Sequence, residues 1–155
     1  MLNSQDFLDH TIKTDIKEAI SRWLSWLVDE RRLSENTKIA YLHDLKVFLR
    51  FLSKHFGHKI QLTDLENISL SDFRGFLTQI QISGLSKTSA ARTISTIRNF
   101  FKYLERESGI TNNSINLIKS PKLGHPLPKA LNVPDTKNSI NMAGKLAKAH
   151  WVGAR

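Results

Sequence analysis

Two stretches of this chain repeat one another at an offset of 52 residues, and both are patterned as amphipathic helices. Arg32-Leu33-Ser34-Glu35-Asn36-Thr37-Lys38-Ile39-Ala40-Tyr41-Leu42 aligns with Gly84-Leu85-Ser86-Lys87-Thr88-Ser89-Ala90-Ala91-Arg92-Thr93-Ile94. The match runs on through Leu45 with Ile97, Phe48 with Phe100, Leu49 with Phe101 and Leu52 with Leu104. In each copy Leu-Ser is followed by a hydroxyl residue three positions after the Ser, a helix-start signal. Apolar residues then recur at steps of three and four, while the opposite side carries Lys and Arg. A chain holding two such segments must bury two long apolar stripes and keep two basic faces outside.

The remaining pattern is helical as well. Ile16, Ile20, Trp23, Leu24, Leu27 and Val28 predict a first helix over Asp15 to Arg31. The second is expected from Ser34 to about His55, with Leu42, Leu45, Leu49, Leu52 and Phe56 inward and Gly57 ending it. Lys59 to Ile68 reads as a loop anchored by Leu62, Leu65 and Ile68. A shorter third helix follows, capped by Ser69 with Asp72 three residues on, and packs through Phe73, Phe76, Leu77 and Ile80. Gly84 breaks it. The fourth helix runs from about Ser86 to Glu107, with Ala90, Ile94, Ile97, Phe101 and Leu104 inward and Gly109 closing it. No alternating strand pattern of useful length occurs. The expected fold is an all-α, four-helix bundle over residues 1–111. All four prolines lie in 112–134, which reads as an extended linker. Residues 135–155 regain a weak apolar stripe, too short to bury a core alone.

Charge is distributed unevenly along the chain. The net charge is +9 over 155 residues. Residues 1–30 sum to −3, 31–60 to +5, 61–85 to −2, 86–110 to +3 and 111–155 to +6. The excess therefore sits on the two matching helices and the tail, as a nucleic-acid partner would require, although solvated faces also collect Lys and Arg. The absence of cysteine excludes disulfides and Cys-ligated zinc and suits a cytoplasmic location. The six histidines show no metal-ligand spacing, and no apolar run approaches the ~20 residues that cross a bilayer. Neither a metal, a cofactor, a small-molecule substrate nor a membrane is expected as a partner. No glycine-rich phosphate loop, nucleophile motif or carboxylate cluster is present, so no catalytic residue is assigned.

On the fourth helix Thr88, Arg92, Ser95, Asn99, Lys102 and Arg106 fall together opposite the apolar stripe, at roughly 100° per residue. On the second, His43, Lys46, Arg50 and Lys54 share the corresponding side, with Asn36 near the entry. Cations neutralise phosphates, while hydroxyl and amide groups reach phosphate oxygens or base edges. The candidate DNA-binding set is Thr37, His43, Lys46, Arg50, Lys87, Thr88, Arg92, Ser95, Asn99 and Lys102. Arg98 lies at the margin of the strip and is expected to touch the following segment instead. Arg92→Ala should weaken DNA binding and lower its salt slope by ~1. Tyr41, Phe48, Phe51, Phe100, Tyr103 and the tryptophans are read as core residues.

These residues resemble a known family. Leu33-Ser34-x-x-Thr37-x-x-x-Tyr41-x-x-Asp44-Leu45-x-x-Phe48-Leu49-x-Phe51-Leu52 is similar to the amino-terminal core-binding domain of tyrosine site-specific recombinases. So is Gly84-Leu85-Ser86-x-x-Ser89-x-Ala91-Arg92-x-Ile94-Ser95-x-Ile97-Arg98-x-Phe100-Phe101-x-Tyr103-Leu104. Pro121-Lys122 and Leu127-Pro128-Lys129-Ala130-Leu131 resemble the family's interdomain linker, in the manner of the Xer group that resolves chromosome dimers. The resemblance implies a helical clamp on a double-stranded DNA half-site, with a second recombinase protomer as a further partner. It also implies chemistry by a separate domain, in which a tyrosine attacks the scissile phosphate and basic residues stabilise the transition state. Tyr41 and Tyr103 do not match the nucleophile motif, and the family's catalytic residues are expected beyond Arg155. Residues 135–155 resemble only the entry helix of that domain, so the chain is not expected to recombine DNA alone. A phage or plasmid integrase, a helical protein-interaction module and a helix-turn-helix regulator are the alternatives; the length of the 59–68 loop speaks against the last.

Overall fold

The structure is a computed structural model, and it describes residues 10–121. Five α-helices and one 3-10 helix are described: α1 (Thr14–Asp29), α2 (Glu35–Phe56), α3 (Leu62–Glu66), α4 (Leu70–Ile82), α5 (Lys87–Ser108) and the 3-10 turn Asn113–Leu117. The all-α expectation holds. Among the described residues the one sheet-like feature is an isolated parallel bridge between Ile12 and Ile60, made by Lys13 N–H to Ile60 O (2.9 Å) and Ile60 N–H to Thr11 O (3.0 Å). No helix among them is long and apolar enough to cross a membrane.

The two matching helices pack against each other at the centre. Leu45, Phe48, Leu49 and Leu52 of α2 are buried with Ile97, Phe100, Phe101 and Leu104 of α5. α4 closes one side with an aromatic cluster: Phe48 stacks on Phe73 at 5.7 Å between centroids and meets Phe76 (5.0 Å) and Phe101 (6.5 Å) edge-on. Such pairs add about 0.5–1.5 kcal/mol each beyond the area they bury. α1 closes the other side through Ile16, Ile20, Trp23 and Leu27. Of its expected stripe, Val28 is exposed, lying about 100° round the helix from the buried Leu27.

Two expectations need correction. The segment 59–68 is not all loop: Leu62 to Glu66 form a helical turn, stabilised by a capping box in which Gln61 N–H donates to Asp64 Oδ2 (2.9 Å). Leu65 and Ile68 are buried anchors as expected, while Leu62 is half-buried. Nor does extended chain begin at 112. The Asn112 amide donates to Leu65 O and Ile68 O (2.9 Å each), the 3-10 turn follows, and Ile115 and Ile118 are buried in the core. Apolar side chains at 115 and 118 gain more by docking than an extended segment would. Arg98 leaves the α5 strip to hold this piece, donating to Ile115 O (3.4 Å), Ser120 Oγ (3.2 Å) and Ile118 O. Residues 122–155, with the proline-rich stretch and the final expected helix, lie outside the described residues.

Candidate nucleic-acid interface

Both basic helices start in the same way. Ser34 accepts from Thr37 N–H (3.3 Å) and Ser86 from Ser89 N–H (3.1 Å), each with extended backbone at the cap. The two hydroxyls of each pair also bond to one another, at 2.9 Å and 3.0 Å. The residue two before each cap has left-handed backbone, Arg32 at φ 49° and Gly84 at φ 76°. Their amides close the preceding helices, Arg32 N–H onto Val28 O (3.1 Å) and Gly84 N–H onto Gln81 O (3.0 Å). The sequence repeat is thus a repeated turn-and-cap as well as a repeated stripe. Thr37, a candidate contact, is half-buried and committed to this cap.

Along α5, Lys87, Thr88, Arg92, Ser95, Lys102 and Arg106 are exposed and Asn99 is half-buried. Along α2, His43, Arg50 and Lys54 are exposed and Lys46 is half-buried. One member of the α5 strip reaches across to α2. Arg92 donates through Nε to Asp44 Oδ2 (2.8 Å) and through Nη2 to Asp44 Oδ1 (3.1 Å). Thr93 and Thr96 hydroxyls also reach the carboxylate, at 3.1 and 3.4 Å. Asp44 is 3% exposed, whereas the Arg92 side chain is 47% exposed. The hydrogen bonds and charge of Asp44 raise the Arg92 pKa further above its ordinary value, so it is a permanent cation. The pair carries no net charge. Arg92 is therefore a held group with one open edge, not the free phosphate ligand its place on the wheel suggests.

Asn99 is likewise held from beneath. The indole N–H of Trp23, a fully buried residue of α1, donates to Asn99 Oδ1 at 2.9 Å. Trp23 also packs edge-on against Phe100 (5.2 Å) and in a stack with Tyr41 (6.2 Å). At the far end of the strip, the Arg106 guanidinium lies 4.6 Å from the Trp26 ring centre, with Arg31 5.5 Å from the same ring. Burial, with Glu107 beside it, pushes the Tyr103 hydroxyl pKa up, which keeps it neutral in this setting.

Asp44 and Trp23 are the site residues that the sequence analysis did not assign. Asp44 sits about 100° round α2 from His43, toward the apolar side. An acid on the inner flank of a segment with net charge +5 was the available signal. For Trp23 there was none, since the use of an indole N–H depends on which helix arrives opposite it.

An all-α bundle with a basic strip on each of two paired helices is the class these features define. Residues 20–108 match the profile described as "Phage integrase, N-terminal SAM-like domain", and the chain belongs to that family. Among curated proteins it is 34% identical over 143 residues to a tyrosine recombinase XerC from Mesorhizobium japonicum, covering 92% of this chain and 46% of the relative. A tyrosine recombinase XerC from Rhodospirillum centenum is 33% identical over 148 residues (96% and 43%). One from Rhizobium meliloti is 36% identical over 134 residues (86% and 42%). The chain thus spans less than half the length of these relatives. No solved structure matches.

Proposed function

We propose that this chain is the DNA-binding module of a tyrosine site-specific recombinase acting on cytoplasmic DNA, with α2 and α5 laid toward the duplex. The observation that carries this reading is a basic strip on each of two helices that pack together, each launched from the same Leu-Ser cap. Cations on such strips displace counterions from DNA, and the hydroxyl and amide groups between them complete the phosphate contacts. The strand-transfer chemistry of the XerC relatives belongs, on this reading, to a part of the recombinase outside this chain. The module contributes grip and register. A second recombinase protomer on the adjoining half-site is the corresponding protein partner, and dimer resolution before cell division is the corresponding cellular task.

The test is fluorescence anisotropy of a labelled 30-base-pair mixed-sequence duplex across salt concentrations. Affinity should fall by orders of magnitude between about 50 and 200 mM salt. No affinity at the lowest salt would replace the reading with a helical protein-interaction module whose basic faces are merely solvated.

A further inference from the structure

Resting on that DNA-binding reading, we infer that α5 grips the phosphate backbone through a donor locked from behind: Asn99 presents its amide nitrogen outward and does not read adenine.

An indole N–H can donate and cannot accept, so its contact with Asn99 at 2.9 Å fixes which amide atom faces inward. It is the oxygen. Trp23 is 0% exposed, so that oxygen points into the domain and the nitrogen is left toward solvent. Reading adenine with Asn requires oxygen and nitrogen together on one base edge, accepting from N6 and donating to N7. Turning the oxygen outward here would strand the Trp23 N–H in the core, which the interior resists. The outward nitrogen has no partner among the described residues. One helical repeat earlier, about 10.5 Å along the axis for seven residues, Arg92 is pinned to Asp44 by two of its five N–H groups. Three N–H groups remain for the outside. Lys102, exposed and a donor only, follows Asn99 on the same strip. Arg92, Asn99 and Lys102 thus offer donors outward, with the Ser95 hydroxyl between the first two, and neither Arg92 nor Asn99 is free to turn. Held donors at Arg92 and Asn99, with the Lys102 cation beyond them, match a row of anionic oxygens, as a DNA strand presents at every nucleotide.

The test uses the full chain, a mixed-sequence 30-base-pair duplex and the same duplex with 7-deazapurines, which lack the N7 acceptor. Asn99→Ala should lose about three- to tenfold in affinity, equally on both duplexes. A loss confined to the natural duplex would show purine reading and overturn the inference while leaving DNA binding intact. No loss on either duplex would also overturn it. In wild-type protein labelled with ¹⁵N, the Trp23 indole N–H resonance should keep its hydrogen-bonded position as duplex is added, while the Asn99 amide protons shift. Movement of the indole signal to a free position would mean that the oxygen turns outward, against the inference. This second measurement decides the matter if Asn99→Ala fails to fold. Absence of wild-type binding at low salt would remove both the inference and the DNA-binding reading beneath it.

Discussion

A carboxylate that is 3% exposed survives in a protein only if its acceptors are used, and Asp44 has Arg92, Thr93 and Thr96 around it. This turns a simple surface substitution into a test of the interior. Arg92→Ala should cost about 2 kcal/mol of stability, seen as a lower urea midpoint, because it leaves the carboxylate with two hydroxyls alone. Adding Asp44→Asn should recover part of that loss; a double variant as unstable as the sum of the singles would disprove the coupling. The same double variant, not Arg92→Ala alone, is the proper comparison for salt slope, since the single change also uncovers a negative charge beneath the strip. A second residue-scale expectation concerns Arg32. A left-handed conformation costs a residue with a Cβ about 1–2 kcal/mol relative to glycine, partly offset by the greater freedom of unfolded glycine. Arg32→Gly should therefore raise the melting temperature, and an unchanged melt would show that the Arg32 side chain returns the cost elsewhere. In the chain alone Asp44 shows only as an acid within a basic segment, and Trp23 only as a core aromatic. A helical wheel shows the face a residue occupies, while their roles are fixed by Arg92 and Asn99 arriving from α5.

At the scale of elements, the long helices were legible because each announces itself at both ends. Ser34 and Ser86 cap the starts, and Gly57 and Gly109, at φ 73° and 67°, close the ends. The one α-helix missed, α3, has five residues, too few for a periodic stripe to accumulate. Its presence follows instead from the Gln61–Asp64 box and from Asp15, whose second oxygen accepts from Leu62 N–H at 2.9 Å. Both capping boxes use an aspartate that a histidine from the α2 end also touches: His58 with Asp64 (3.1 Å) and His55 with Asp72 (2.9 Å). Burial pushes the Asp72 carboxyl upward, but hydrogen bonds from Ser69 and His55 outweigh it and hold the pKa below 3.8. A folded value below the unfolded one stabilises above the unfolded pKa, about 3.9, and that contribution is lost as pH falls through the folded value. The stability gap between wild type and Asp72→Asn should accordingly shrink as pH falls below about 4. A gap independent of pH would show that the carboxylate charge is immaterial to the cap. Ser86→Ala should cost about 1 kcal/mol by removing the cap of α5.

Across the whole molecule, the bundle is held by two helices whose outer sides carry the candidate interface, so stability and binding share α2 and α5. The basic strips could be read from composition and periodicity because solvent-facing positions are set by the helix itself. The extent of the domain could not. Asn112 and the apolar pair Ile115 and Ile118 look like the opening of a linker until the α3–α4 junction supplies carbonyls and the core supplies a groove. Arg98→Ala should accelerate amide hydrogen exchange across residues 115–120 with little change in α2; equal protection in both proteins would mean that burial of Ile115 and Ile118 suffices alone. The Arg98 clasp also has a mechanical meaning. Because Ser120 is fastened through Arg98 to the middle of α5, the segment 113–120 is held by the same rod that bears the strip. A displacement of α5 carries Ser120 with it, and a pull on Ser120 is delivered to α5 along its side.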